Sequence, residues 1–86
     1  MPEISRFFGI IIRMYFDDQS PPHFHAIYGN HEAQIAINPI TILRGSSPHR
    51  AKSMVIEWAA LHQKELMQNW ESLRKDQPAQ KIEPLE

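Results

Sequence analysis

The chain contains no cysteine among its 86 residues. Disulfide bridges, thiolate zinc sites and thiol nucleophiles are therefore excluded, and any chemistry must come from histidine, carboxylate, hydroxyl or tyrosine side chains. A formal net charge of −1 provides no global basic field of the kind that drives nucleic-acid binding by counterion release. Charge thus does not indicate a nucleic-acid partner, and only a local group of cationic side chains in the first half keeps that alternative open.

Long apolar runs are also missing, since no stretch approaches the roughly 20 residues that span a bilayer. We therefore expect no membrane partner. The first residues, 1–4, include an acidic side chain and lack a basic leader with a small-residue cleavage site, so we expect a cytoplasmic protein rather than a secreted one. With 42% hydrophobic residues, the chain predicts one small domain over residues 1–86 with a modest core.

The two halves of the chain differ in their hydrophobic periodicity. Residues 1–46 are strand-rich, residues 47–76 have helical spacing, and residues 77–86 contain two prolines and predict an extended tail. Alternation of apolar and other side chains predicts strands at residues 10–16, 23–28 and 32–38, with a short fourth at 40–44. Phe7 and Phe8 form either a short leading strand or an apolar anchor.

One long helix is predicted for the second half. Ser47 before Pro48 is typical of a helix start, and apolar residues then recur every three or four positions to about Arg74. Some 27 residues would make a helix of about 40 Å, longer than a small sheet is wide, so we expect its last turns to overhang or kink. The predicted fold is α+β: an antiparallel sheet of three to four strands, one long C-terminal helix packed across it, and an extended tail.

Two histidines stand at alternate positions of the run Pro21-Pro22-His23-Phe24-His25. In a strand their side chains share a face about 6.5 to 7 Å apart, which suits a metal ion, acid–base chemistry or a polar strand surface. We expect no cofactor, and the alternative is a divalent transition metal, which would need a third ligand. Asp18 is the best placed, five residues before His23 across the proline turn. The candidates for that third ligand are Asp17, Asp18, His31, Glu32 and His49.

A second interpretation of the histidine pair is phosphodiester cleavage. His23 or His25 would act as the general base and the other as the general acid, with Arg13 or Arg44 stabilising the phosphorane. A toxin or nuclease acting on RNA and a metal-dependent hydrolase are both consistent with this pair. Whether the protein is an enzyme stays open at the level of sequence.

The helical half carries a second candidate site, for protein–protein interaction. A helix that overruns its sheet would leave apolar side chains in need of cover, as in a homodimer or a complex with a partner. Core packing against the sheet is the alternative for the same side chains. The residues in this candidate interaction site are Trp58, Leu66, Met67 and Trp70.

Nearly the whole chain resembles a family of short bacterial proteins, domain-of-unknown-function family 4160 (DUF4160). The most specific match is the run Pro-Pro-His-Phe-His-Ala at residues 21–26, with Tyr28-Gly29 after it. The other matching residues are Pro2-x-Ile4, Phe8-Gly9-Ile10, Met14-Tyr15, Gly45, Glu57-Trp58-Ala59, His62, Trp70 and Ile82-Glu83-Pro84-Leu85.

The resemblance implies a functional context rather than an activity. Members of the family are often encoded beside another small protein, of family DUF2442, in what resembles a two-gene toxin–antitoxin module. It implies a non-enzymatic interaction or regulatory component, a homodimer or a partner of the neighbouring protein. The RNA-acting or metal-dependent enzyme centred on His23 and His25 is the alternative.

Overall fold

The computed structural model describes residues 3–86, which form a five-stranded antiparallel sheet followed by two helices. Pro2, the first residue of the family-like motifs, lies outside this range. The α+β class is confirmed. The strands lie side by side in chain order, each hydrogen-bonded to the next. They are β1 (Glu3–Phe7), β2 (Ile10–Arg13), β3 (His23–Tyr28), β4 (His31–Ile37) and β5 (Ile40–Gly45).

The prediction of three to four strands is wrong because residues 3–7 pair with β2. This strand contains Glu3, Ser5 and Arg6 among its five residues, so its alternation is too weak to identify it from sequence. β2 ends at Arg13, three residues before the predicted end, since Arg13 is its last residue paired to β3. Beyond it the chain leaves the ladder, and Phe16 is exposed to solvent.

The single long helix is also wrong: α1 (His49–Leu61) and α2 (Gln63–Arg74) are separated at His62. His62 leaves helical geometry, with φ −124° and ψ 26°. Its ring nitrogen Nδ1 lies 2.6 Å from a carboxylate oxygen of Glu65 in the first turn of α2. Gln63 donates a 2.7 Å hydrogen bond to the carbonyl of Ile37, which ties the start of α2 to the end of β4.

The break keeps the second half of the helical segment against the rest of the chain. A straight helix of about 40 Å would exceed the longest dimension of the molecule, 34 Å. The start also differs from the prediction, because Pro48 rather than Ser47 occupies the cap position of α1 and supplies no side-chain hydrogen bond there.

Trp58 is the centre of the core between the sheet and α1. Its ring lies 5.4 Å from that of Phe7 in β1 and 5.9 Å from that of Phe24 in β3, and it is fully buried. Phe24 therefore faces α1. Because side chains alternate along a strand, His23 and His25 project from the opposite face of β3.

The C-terminal segment, residues 78–86, has no regular structure and packs along β1 and the helices. Its Ile82 is buried and donates a backbone hydrogen bond of 2.8 Å to Ile4. Asn69, buried in α2, pairs with the backbone of Gln80 through both atoms of its amide group, each at 2.8 Å. The segment thus satisfies polar groups that α2 buries.

Candidate metal centre

The connection between β2 and β3, residues 14–22, folds over the sheet face that bears the two histidines. Asp18 lies in this loop, and its oxygen Oδ2 is 2.8 Å from Nε2 of His25 and 3.3 Å from Nε2 of His23. Within residues 3–86, these three side chains are the group whose ligand atoms could hold a metal ion, all within 4.8 Å of one another. The structure therefore brings together the three predicted ligands.

The outer nitrogen of each imidazole fixes the protonation of the inner one. Nδ1 of His23 lies 2.8 Å from the carbonyl oxygen of Pro21, and Nδ1 of His25 lies 2.9 Å from Oε2 of Glu32. A carbonyl or carboxylate oxygen only accepts hydrogen bonds, so both Nδ1 atoms carry the proton. In the neutral rings both Nε2 atoms therefore present a lone pair.

Both of these lone pairs are directed at the same carboxylate oxygen of Asp18. Three electron-rich atoms facing one another repel unless a cation lies among them. That cation is either a proton held on one imidazole or a metal ion bound by all three atoms. A metal ion accounts for all of these contacts, because hydrogen-bond acceptors at Nδ1, such as those of both histidines here, orient metal-binding imidazoles.

The spacing suits a small transition-metal ion. Ligands at about 2.0 to 2.1 Å from one tetrahedral ion are about 3.3 Å apart. The Asp18–histidine distances here are 2.8 and 3.3 Å, and all three ligand atoms lie within 4.8 Å of one another. Two imidazoles and one carboxylate leave a fourth position open, as catalytic sites do. Glu32 reaches only the Nδ1 side of His25. The other candidate third ligands, which are exposed and outside the cluster, are Asp17, His31 and His49.

The histidines are enclosed rather than spread over an open sheet. His23 is 6% and His25 5% exposed, so the interpretation of a polar surface with partly exposed histidines is wrong. The ring of Tyr15 meets His25 edge-on at 4.6 Å, and the ring of Trp70 lies 5.4 Å from His23. The aromatic rings shield the pair from solvent and restrict how the imidazoles rotate.

The acid–base interpretation requires the two imidazoles to reach opposite sides of a scissile bond. Here the Nε2 atoms of His23 and His25 converge on one oxygen, and their Nδ1 atoms are already hydrogen-bonded. Neither ring is free to deliver a proton across a cavity while Asp18 stays in place. The geometry therefore favours a metal centre over a histidine acid–base pair.

The predicted interaction residues lie in the core or against it, and one of them, Trp70, also packs beside His23. Trp58 and Leu66 are fully buried, Trp70 is 4% exposed, and Met67 is partly buried against the same core. The sheet, the break between the helices and the C-terminal segment supply the cover that one long helix would have lacked. These four side chains do not form an exposed surface of the chain.

Two groups of the site, the carbonyl of Pro21 and the ring of Tyr15, are not predicted from the sequence. The carbonyl of Pro21 has no signature in the sequence, because it depends on how the turn folds back. In the predicted strand, Tyr15 lies on the same face as Arg13, and Arg13 is paired with His25. The sequence pattern could therefore have indicated Tyr15 as a neighbour of His25. The chain leaves β2 after Arg13, however, which moves Tyr15 off the ladder that this pattern assumes.

Comparison of the chain with known protein families identifies one matching family. The model of a domain of unknown function (DUF4160) matches residues 9–71, which include Asp18, both histidines of the cluster and Glu32. No curated protein and no solved structure matches the chain. Within residues 3–86, no helix is long and apolar enough to cross a membrane. Because the match covers well over half of the 86 residues, the chain belongs to the DUF4160 family.

Proposed function

We propose that this protein binds one divalent transition-metal ion through Asp18, His23 and His25 and acts as a metal-dependent hydrolase. The observation that supports this best is the convergence of both Nε2 atoms on one oxygen of Asp18, at 2.8 and 3.3 Å. Two neutral imidazoles and one carboxylate form a donor set typical of Zn²⁺ and Fe²⁺.

The surrounding groups support the same proposal. The carbonyl of Pro21 and the carboxylate of Glu32 hold the Nδ1 protons, which keeps each Nε2 available to a metal. The carboxylate behind His25 also makes that imidazole a stronger donor. Asp18, His23 and His25 would hold the metal ion, which would supply a water molecule activated as a nucleophile near neutral pH.

Isothermal titration with Zn²⁺ and elemental analysis of the purified protein test the proposal. We expect one equivalent of metal in the parent chain. The variants Asp18→Asn, His23→Gln and His25→Gln should each lose at least tenfold in affinity, since each removes a ligand and keeps a polar side chain of similar size.

His49→Gln is the matched control, because His49 is an exposed histidine at the start of α1 outside the cluster. It should bind metal like the parent. Circular dichroism establishes that each variant is folded before its affinity is compared. A folded parent that binds no Zn²⁺, Fe²⁺, Co²⁺ or Mn²⁺ contradicts the proposal, and so do ligand variants that bind as the parent does.

The second candidate function is an interaction component of a two-gene module. It is favoured by two exposed aromatic side chains, Phe8 at 60% and Tyr28 at 38%, which line a cavity of about 450 Å³ together with Met54 of α1. Phe8 and Gly9, with φ of 51° and 80°, form the two-residue turn between β1 and β2, which places the ring of Phe8 in solvent. Exposed aromatic side chains grouped around a cavity are typical of binding surfaces.

Size-exclusion chromatography with light scattering tests this second candidate. The parent chain should form a homodimer or a complex with a DUF2442 protein of the kind that the family resemblance implies as a neighbour, and Phe8→Ser should abolish that association. Leu61→Ser is the control, since Leu61 is 67% exposed at the end of α1 and does not line this cavity. A chain that stays monomeric and does not bind the DUF2442 protein contradicts this function.

A further inference from the structure

An open cleft of about 340 Å³ borders the metal-ligand cluster. It is lined by Asp18 and the turn after it, by His23 of β3 and Gln34 of β4, and by Leu43 and Arg44 of β5. The volume is within the range of small-molecule sites, so the cleft has room for a ligand beside the metal.

Strand register places Arg44 on the same sheet face as the cluster. His25 is paired with Gln34, and Gln34 is paired with Arg44. Directly paired residues of antiparallel strands project to the same side, and Arg44 lines the cleft although the β4–β5 register shifts just after Gln34. β5 lies two strand spacings, about 10 Å, from β3. The guanidinium of Arg44 therefore extends from the far side of the cleft on the face where His25 projects.

The guanidinium of Arg44 has no acidic partner. Within residues 3–86, no carboxylate oxygen lies within 4.0 Å of it, whereas Arg6 is paired with Glu3 at 2.8 Å. Arg13, the other cation in this row of paired residues, lies on β2 opposite Glu3 and does not line the cleft. Arg44 is thus the cationic side chain of the cleft.

We propose that the cleft binds the phosphoryl group of a small phosphate ester, with Arg44 on its anionic oxygens and the metal of the Asp18–His23–His25 site on the other side. This inference rests on the proposed metal site. A guanidinium binds two phosphate oxygens at once, and a metal ion opposite it stabilises the remaining charge.

In this cleft, one water molecule would hydrolyse the phosphate ester. The bond that forms joins the water oxygen to phosphorus, and the bond that breaks joins phosphorus to the ester oxygen. The proton released by the water ends on the departing alcohol, so the products are inorganic phosphate and that alcohol. Arg44 stabilises the negative charge that gathers on the phosphoryl oxygens.

The charge of the chain favours a small ester over a polynucleotide. A protein that follows a nucleic-acid backbone needs several cationic contacts, and the net charge here is −1. Within the cleft, Arg44 stands with Asp18 and no lysine. One guanidinium and one metal ion match a single phosphoryl group.

Titration of the Zn²⁺-loaded protein with inorganic phosphate tests the inference. Arg44→Ala should lower phosphate affinity at least tenfold, because it removes charge-assisted hydrogen bonds, and Arg44→Lys should restore part of it. Zn²⁺ affinity of both variants, measured separately, should stay within twofold of the parent. Arg50→Ala is the control, since Arg50 is an exposed arginine at the start of α1 outside the cleft.

The outcomes separate this inference from the metal site itself. A parent chain that binds no metal overturns both proposals, and the Zn²⁺ titration shows this before phosphate is added. If Zn²⁺ binds and Arg44→Ala binds phosphate like the parent, the metal site stands and the phosphate assignment is overturned. Single-stranded RNA that binds at least tenfold more tightly than phosphate, in an Arg44-dependent way, overturns the small-ester assignment in favour of a polynucleotide.

Discussion

Replacing Glu32 by glutamine tests whether the carboxylate behind His25 strengthens metal binding at the cluster. Glu32 is not a proposed ligand, and its contact is with Nδ1 of His25 at 2.9 Å, on the side of the ring away from Asp18. Glutamine keeps the size and a carbonyl acceptor but removes the negative charge. Metal affinity should fall because the carboxylate strengthens His25 as a donor.

The exposure of Glu32 sets the expected magnitude. Loss of an outer-sphere carboxylate lowers metal affinity by about 10- to 100-fold. The Glu32 side chain is 53% exposed, so water screens its charge and the lower end applies, about tenfold or about 1.4 kcal/mol. At a metal concentration of 100 times the parent Kd, the stabilisation by metal falls from about 2.7 to about 1.4 kcal/mol, or by about 5 to 10 °C in Tm.

The chain contains a matched control for this measurement. Glu65 contacts Nδ1 of His62 at 2.6 Å and is 48% exposed, but this pair lies at the helix break and is not part of the cluster. Calorimetric titration and thermal unfolding with and without Zn²⁺ should show weaker binding for Glu32→Gln and parent-like binding for Glu65→Gln. Equal Zn²⁺ affinity of Glu32→Gln and the parent would refute the outer-sphere role of Glu32.

Urea unfolding monitored by tryptophan fluorescence checks three further predictions. Gly45 and Gly29 both have positive φ, but only at Gly45 would a Cβ collide with the backbone of β4, so Gly45→Ala should destabilise more than the about 1 to 2 kcal/mol expected for Gly29→Ala. Asn69→Ala should cost about 1 to 3 kcal/mol, because it removes two hydrogen bonds with the backbone of Gln80, an exposed residue whose freed groups water can reach. Trp58→Phe should cost at least about 1 kcal/mol, since it removes a 2.8 Å hydrogen bond to the C-terminal segment as well as buried volume. Equal effects of the two glycine variants, or changes below about 0.5 kcal/mol for Asn69→Ala or Trp58→Phe, would contradict these predictions.

The proposed ligands could be predicted from sequence because they are close along the chain. Asp18, His23 and His25 lie within eight residues, so a turn and the alternation of one strand suffice to bring them together. The outer shell depends on longer-range structure. Glu32 reaches His25 from β4, and Trp70 reaches His23 from α2, and neither contact follows from local spacing.

The errors in the fold have a related cause. Residues 3–7 form a strand because β2 offers a partner edge, although their own alternation is weak. The helical spacing continues through His62, since Trp58, Leu66 and Trp70 all reach the core, so periodicity gave no sign of the break. Tertiary contacts at the break, such as the hydrogen bond from Gln63 to β4, decide where the helix ends.

The metal ligands are close together in sequence and Arg44 is distant from them, so metal binding and phosphate binding can be lost separately. The metal ligands depend on residues 18–25, whereas Arg44 reaches the cleft only through the β3–β4 and β4–β5 ladders. β5 is an edge strand, and Gly45 at its end is needed for close approach to β4. Displacing β5 would therefore remove the guanidinium from the cleft and leave the cluster in place, so phosphate binding should be lost before metal binding as the Gly45→Ala chain is destabilised.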